Sequence, residues 1–98
     1  MWVEMENLPN WPLMEEEILV VEDEKKIYFN FPYSLFKKSI EKEISNLPVS
    51  VELREDSLGG KRAIVMMDKQ LGSEVKAWLS VKLPSMSKKY FITELEIL

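Results

Sequence analysis

The sequence contains no cysteine and no histidine. These residues supply most zinc ligands, thiol nucleophiles, haem attachment points and imidazole acid–base groups. Their absence excludes disulfide scaffolds, zinc fingers, thiol enzymes and histidine-based catalysis. A metal would need an oxygen-only cage, and no calcium-loop spacing is present. We therefore expect no metal and no other cofactor.

Long apolar runs are also missing. The longest wholly apolar stretch runs from Ala63 to Met67, and Glu4 and Glu6 stand where a secretory signal would be basic. We therefore expect a soluble cytoplasmic protein with no membrane partner. The composition is rich in glutamate and lysine and poor in asparagine, glutamine and cysteine, which is typical of heat-adapted proteins.

The 98 residues, 46% of them hydrophobic, are enough for one small domain with its own core. The net charge of −4 hides an asymmetry along the chain. Residues 1–24 hold eight acidic residues and no basic one, whereas all 13 lysines and arginines follow, against nine acids. Residues 1–24 thus carry a net charge of −8 and residues 25–98 a net charge of +4. This asymmetry affects which partners the protein would attract.

Residues 1–17 are predicted to form an acidic arm that precedes a single domain of residues 18–98. Pro9 and Pro12 interrupt any element longer than one turn. Exposed apolar clusters usually mark contact surfaces, and tryptophan is enriched at binding hot spots. We predict that the arm docks a protein partner through Trp2, Met5, Leu8 and Trp11. The alternative is that these side chains pack on the protein's own core.

The first half of the domain shows a hairpin followed by a helix. The runs 17–21 and 26–31 are rich in β-branched and aromatic residues around a charged turn. From Tyr33 to about Asn46, apolar residues recur at helical spacing. The members of this stripe are Phe36, Ile40, Ile44 and Leu47.

The second half has the alternation of an all-β segment. Strands are expected at 49–53 and 61–67, joined by a tight turn at Gly59-Gly60 that sets Leu53 opposite Met66. Residues 75–83 alternate cleanly and would pair with a last strand at 89–98, with Val81 opposite Phe91. The resulting order is β-β-α-β-β-β-β. We predict an α+β fold with a mainly antiparallel sheet of about six strands, curled or folded over, and one amphipathic helix packed on it.

A basic and aromatic face on the predicted strand 75–83 suggests a second function. Aromatic side chains stack on bases and cations hold phosphates, so this face is typical of single-stranded nucleic-acid binding. The basic-aromatic set comprises Lys76, Trp78, Lys82 and Tyr90, extended by Arg54 and Arg62 and further by Lys61, Lys88 and Lys89. The acidic arm would compete with nucleic acid. The alternative is that Trp78 is covered and Lys76 pairs with Glu96.

Two further expectations concern catalysis and assembly. Glu52, Glu94 and Glu96 lie on predicted strands and could serve as an acid–base pair, but each also reads as a solvated or paired side chain. We therefore expect a non-enzymatic binding protein and rank a carboxylate enzyme third. The chain stops within an apolar strand, which must pair inside its sheet or offer its edge to a second copy. A homodimer through this C-terminal strand is the assembly that this ending favours.

Overall fold

The computed structural model describes residues 13–96, which contain five strands and two helices. The strands are β1 (Glu17–Glu22), β2 (Lys26–Pro32), β3 (Ser50–Glu55), β4 (Lys61–Asp68) and β5 (Phe91–Glu96). Helix α1 follows β2 directly, with α-helical ends (Tyr33–Leu35 and Glu41–Ile44) around a π-helical turn (Phe36–Ile40). Helix α2 (Lys69–Lys82) leads into a 3₁₀ turn (Leu83–Ser85).

All five strands form one mixed sheet in the order β3-β4-β2-β1-β5. Neighbours are antiparallel except β1 and β5, which run parallel. Each helix is a crossover between strands that run the same way, α1 from β2 to β3 and α2 from β4 to β5. The predicted α+β class is confirmed. The sheet is mainly antiparallel with one parallel pair, whereas the predicted six strands, element order and single helix are wrong in detail.

The first hairpin and helix α1 agree with the sequence pattern. In the turn between β1 and β2, Asp23 Oδ1 accepts the backbone N–H groups of Lys25 and Lys26 at 2.9 and 2.8 Å. Such a side-chain turn fixes the reversal without glycine. In α1 the apolar spacing is four residues, wider than the 3.6 of an α-helix. The π-helical turn compensates for the drift that this spacing would cause, so Phe36, Ile40 and Ile44 are all buried.

Both helices pack on the same face of the sheet and close the main core there. Its buried members include Ile18, Val20, Ile27, Phe29, Phe31, Leu35, Phe36, Ile40, Ile44, Ala63, Val65, Met67, Val75, Leu79 and Leu83. The opposite face carries a smaller buried cluster of Leu19, Val21, Tyr28 and Ile64, against which Leu13 and Met66 pack. The central strands β1, β2 and β4 are therefore apolar on both faces. Neither helix within residues 13–96 is long and apolar enough to cross a membrane.

The predicted strand at residues 75–83 is wrong, because this segment belongs to helix α2 and the turn after it. The buried positions are Gly72, Val75, Leu79 and Leu83, at steps of three, four and four. Val81, which strand alternation would bury, is 76% exposed. Asp68 caps the helix by accepting the Leu71 N–H at 2.9 Å.

The predicted pairing of the last strand with residues 75–83 is therefore also wrong. β5 does not pair with residues 75–83 but runs parallel to β1, with Ile18 opposite Ile92 and Val20 opposite Glu94. Lys76 consequently forms its ion pair with Glu94, at 2.5 Å, rather than with Glu96. The predicted strand 89–98 is observed as Phe91–Glu96, and residues 97–98 lie outside the described range.

The predicted register of the second hairpin is also wrong. Leu53 lies opposite Ala63 rather than Met66, a shift of three residues. The cause is a longer loop, in which Asp56 Oδ1 accepts the N–H groups of Leu58 and Gly60, both at 2.9 Å. The loop closes where the Asp56 N–H donates to the Gly60 carbonyl at 2.8 Å, and Gly59 supplies the positive φ of 84°.

Substitution Gly72→Ala should destabilise the protein. A Cβ at this helical position would lie 3.0 Å from Ile27 Cβ and overlap Ile27 Cγ2. Overpacking of a core costs roughly 1–3 kcal/mol, and the overlap with Ile27 places this substitution in the upper half of that range, at about 2–3 kcal/mol. The gain in helix propensity is about 1 kcal/mol. We expect a net loss of about 1–2 kcal/mol in the free energy of unfolding, measured in urea. Ser73→Ala, at the exposed neighbouring position, is the control. Equal or higher stability of Gly72→Ala would contradict this packing of α2 on β2.

Asp56→Ala should lower the melting temperature in a pH-dependent way. Hydrogen bonds from the Gly60 and Leu58 N–H groups hold the pKa of Asp56 below its ordinary value. A lowered pKa contributes stability above the unfolded value, near pH 4, and that contribution disappears as pH falls through the folded value. The melting-temperature difference between wild type and Asp56→Ala should be present at pH 7 and shrink below about pH 4. The prediction is contradicted if the melting-temperature difference does not depend on pH, or if Ser57→Ala lowers the melting temperature equally. Either result would show that the hydrogen bonds of the Asp56 carboxylate do not stabilise this loop.

Candidate functional site

An apolar groove lies between the C-terminal end of α1 and the middle of α2. Its volume is about 240 Å³. The lining side chains are Glu43, Ile44, Leu47, Leu71, Glu74, Val75 and Trp78. We refer to this feature as the interhelical groove. It exists because both helices pack on one sheet face and leave a gap between them.

Trp78 supplies the aromatic wall of the interhelical groove. It is half-buried and packs against the main core, while Ile44 and Val75 beside it are buried. A large amphipathic ring in a partly open apolar pocket is a common anchor for a binding partner. Trp78 was predicted to be a binding residue, but on the face of a strand rather than at a junction of two helices.

The charged side chains that line the groove are both acidic. Glu43 belongs to α1 and Glu74 to α2, and both are exposed. They therefore place negative charge on the two opposing helices beside an apolar floor. Sequence reasoning missed this pair, since each glutamate looked like an ordinary solvated helix residue. No local pattern shows that residues 31 positions apart border one groove.

Lys76 and Trp78 do not share a face of α2. Residues two positions apart lie on opposite sides of a helix, so Lys76 points away from the groove. Its Nζ lies 2.5 Å from Glu94 and 3.9 Å from Glu22. The hydrogen bond with Glu94 raises the pKa of Lys76. The basic-aromatic set is therefore not assembled as a strand face, although nucleic-acid binding itself stays a prediction.

Of the remaining members, only Lys82 lies next to Trp78 on α2. Lys82 is the last residue of α2, one helical turn beyond Trp78. Tyr90 is half-buried against the main core, with Lys88 Nζ 5.6 Å from its ring centroid. Arg54 Nη2 lies 2.5 Å from Glu52 Oε2 on the same strand. Tyr90 and Arg54 each have a charged neighbour within the chain, so Lys82 is the member of the set that stays beside Trp78 on the same helix.

Arg62 has a structural role at one end of the central strands. It is buried, and its Nε donates to Asn30 Oδ1 at 2.8 Å while Nη2 donates to the Asn30 carbonyl at 2.9 Å. Further bonds reach the backbone carbonyls of Glu17 and Met14. Burial lowers the pKa of Arg62, and the negative charges of Glu17 and Asp56 oppose that shift. This guanidinium joins β4, β2 and the start of β1.

Arg62→Lys should reduce stability, because a single ammonium cannot match the fork of a guanidinium. Hydrogen bonds to charged groups contribute about 1.5–3 kcal/mol each when buried acceptors would otherwise be left unpaired. We expect a loss of roughly 1.5–3 kcal/mol in the free energy of unfolding, measured in urea. Lys61→Ala, at the exposed neighbouring position, should change it by less than about 0.5 kcal/mol. An equally small effect at Arg62 would show that this network is not required.

The outer strands expose apolar side chains. On the free edge strand β3, Val51 is 46% and Leu53 is 56% exposed, both on the helix-bearing face. On the opposite edge strand β5, Phe91 and Leu95 are partly exposed on the other face. Edge strands with exposed apolar residues are a template for further pairing.

The predicted arm residues Trp2, Met5, Leu8 and Trp11 lie outside the described residues. The description begins at Leu13, which packs against the smaller buried cluster beside Tyr28 and Ile64. Within residues 13–96, no group of three or more acidic side chains could hold a metal ion. The features that the described surface offers for binding include the interhelical groove and the exposed sheet edges.

Comparison with known proteins identifies no relative that would indicate a function. The chain matches no protein-family model, no curated protein and no solved structure at a significant level. What the fold defines is its class, a small α+β domain with a five-stranded mixed sheet and two helices on one face.

Proposed function

We propose that this chain is a small, non-enzymatic binding protein that holds a basic amphipathic helix of a protein partner in the interhelical groove. The observation that carries the proposal is the combination of Trp78 on an apolar floor with carboxylates, Glu43 and Glu74, on both helices. Helix-in-groove recognition uses this arrangement, with one face supplying apolar anchors and flanking charges supplying orientation.

The size of the groove favours a side chain over a small molecule. Pockets for small molecules and cofactors usually measure about 300–1,000 Å³, and the interhelical groove, at about 240 Å³, is smaller. One leucine or phenylalanine side chain of a partner fits such a volume. The partner would place it against Trp78, and lysines or arginines one helical turn away would face Glu43 and Glu74.

The basic partner follows from charge complementarity. No lysine or arginine is among the side chains that line the groove in the described part of the chain. The net charge of −4 adds a long-range preference of the same sign. Single-stranded nucleic acid, the alternative, would meet acidic rims here, and Arg54 and Lys76 are already paired with glutamates.

The protein partner expected for the acidic arm stays a prediction beside this one. Trp2 and Trp11 belong to residues outside the described range, whereas the groove is built from residues that pack on the main core. The proposal keeps the predicted class of function, protein binding, and places the contact at a different surface. An experiment on Trp78 can be made independent of the arm, because the chain has three tryptophans in all.

The test uses a protein in which Trp2→Phe and Trp11→Phe leave Trp78 as the single tryptophan. A synthetic helical peptide with leucines on one face and lysines on the other is titrated against its fluorescence. We expect saturable binding with a shift in Trp78 emission. Neutralising both rim charges, Glu43→Gln with Glu74→Gln, should raise Kd roughly 2- to 30-fold, as expected for exposed charge pairs.

The matched control is Glu24→Gln with Glu96→Gln, which changes net charge equally at exposed positions away from the groove. It should leave Kd within about twofold, because distant exposed charges are screened. A peptide with glutamates in place of the lysines should not bind. Equal effects of the two double variants, equal binding of both peptides, or no binding would contradict the proposal.

A further inference from the structure

The free edge of β3 has a charge pattern that is complementary to a second, antiparallel copy of the same strand. β3 is paired with β4 on one side only, because it is the first strand in the sheet order. Residues 52–54 are Glu-Leu-Arg. Glu52 and Arg54 lie on one face of the sheet, and Leu53 between them lies on the other. When a second copy runs antiparallel with Leu53 at the twofold axis, Glu52 lies opposite Arg54 of the other copy, twice.

The direction of the backbone groups agrees with that register. The Asp56 N–H donates inward, to Gly60 at the start of β4. Backbone groups alternate in direction along a strand, so the N–H and C=O of Leu53 and of its second neighbours face the open edge. Leu53 at the axis would then form a hydrogen-bonded pair with Leu53 of the second copy, flanked by Val51 opposite Glu55.

Neighbouring registers and the opposite edge are less favourable. Moving the twofold axis by one residue, to Glu52 or to Arg54, would place that residue opposite its own copy in the second chain. Like charges directly opposite each other destabilise a strand pair. On β5, placing Leu95 at the axis would set Glu94 opposite Glu96 twice. The open edge of β3 also exposes Val51 and Leu53, which a second copy would cover.

We propose that β3 is the surface through which two copies of this chain associate, forming one continuous ten-stranded sheet with Leu53 on the twofold axis. The partner is a second copy. Within each copy Glu52 and Arg54 already pair with each other, and across the interface each would also face the opposite charge of the other copy, so that the four charges alternate in sign. This interface differs from the C-terminal strand predicted from the sequence. It uses none of the side chains that line the interhelical groove, so each proposal can fail without the other.

The charge register is tested by reversal and exchange in the full chain. Sedimentation equilibrium should show a dimer for the wild type. Glu52→Arg and Arg54→Glu should each weaken it about tenfold or more, because two attractive pairs become repulsive. The double variant Glu52→Arg with Arg54→Glu restores both pairs and should restore the dimer. Circular dichroism and urea unfolding show whether each variant keeps its fold. A monomeric wild type, or a double variant as weak as the single ones, would overturn the proposal.

The absence of cysteine allows a direct geometric check. Hydrogen-bonded pairs in antiparallel strands have Cα atoms about 5.5 Å apart, within the range that a disulfide bridges. Leu53→Cys should therefore yield a covalent dimer under mild oxidation. Leu95→Cys, on the other edge strand, should remain monomeric on a non-reducing gel. Crosslinking at Leu95 without crosslinking at Leu53 would assign the dimer to β5 and overturn the proposal.

Discussion

The parallel pairing of β5 with β1 is the constraint on which the rest of the fold depends. Parallel strands cannot be joined by a tight turn and need a crossover, usually a helix. The chain leaves β4 and returns on the far side of β1, so residues 69–82 must cross the sheet. With 14 residues, α2 spans about 21 Å, enough to cross the intervening strands. The main core closes beneath this crossing, where Val75 and Leu79 are buried.

One of the two surfaces that we propose for binding follows from that crossing. Because α2 passes over the same face as α1, the two helices border a groove, and Trp78 lies in it. On the other side of α2, Lys76 reaches Glu94 on β5 and ties the crossover to the strand that requires it. β3 lies at the opposite edge of the sheet from β5, where its apolar side chains Val51 and Leu53 stay exposed.

The sequence predicts the local elements well and the long-range pairing poorly. The hairpin of β1 and β2 and the helix α1 have unambiguous periods, and both are confirmed. The apolar residues Val75, Leu79 and Leu83 fit both the period of a strand and one face of a helix. Ala77 and Val81 complete an alternating pattern, and for this reason the segment was predicted to be a strand. Asp68 at the N-cap was the local signal for a helix. The parallel partner of β5 has no local signal at all.

The candidate site was predictable only in part, for the same reason. Trp78 stood out by type, yet its neighbours in the groove come from α1, and only the packing of both helices brings them together. Arg62 stood out as a surface cation, whereas its guanidinium is buried among the backbone carbonyls of β1 and β2. Residue type alone does not distinguish a cation that binds a partner from one that joins strands.

The most direct test of the central claim is an isotope-filtered NOE experiment on the labelled protein with the unlabelled leucine-lysine peptide. The account predicts contacts from peptide leucine methyls to the Trp78 indole and to the Ile44 and Leu47 methyls, across the two helices. Contacts confined to other surfaces, or none at saturating peptide, would contradict it.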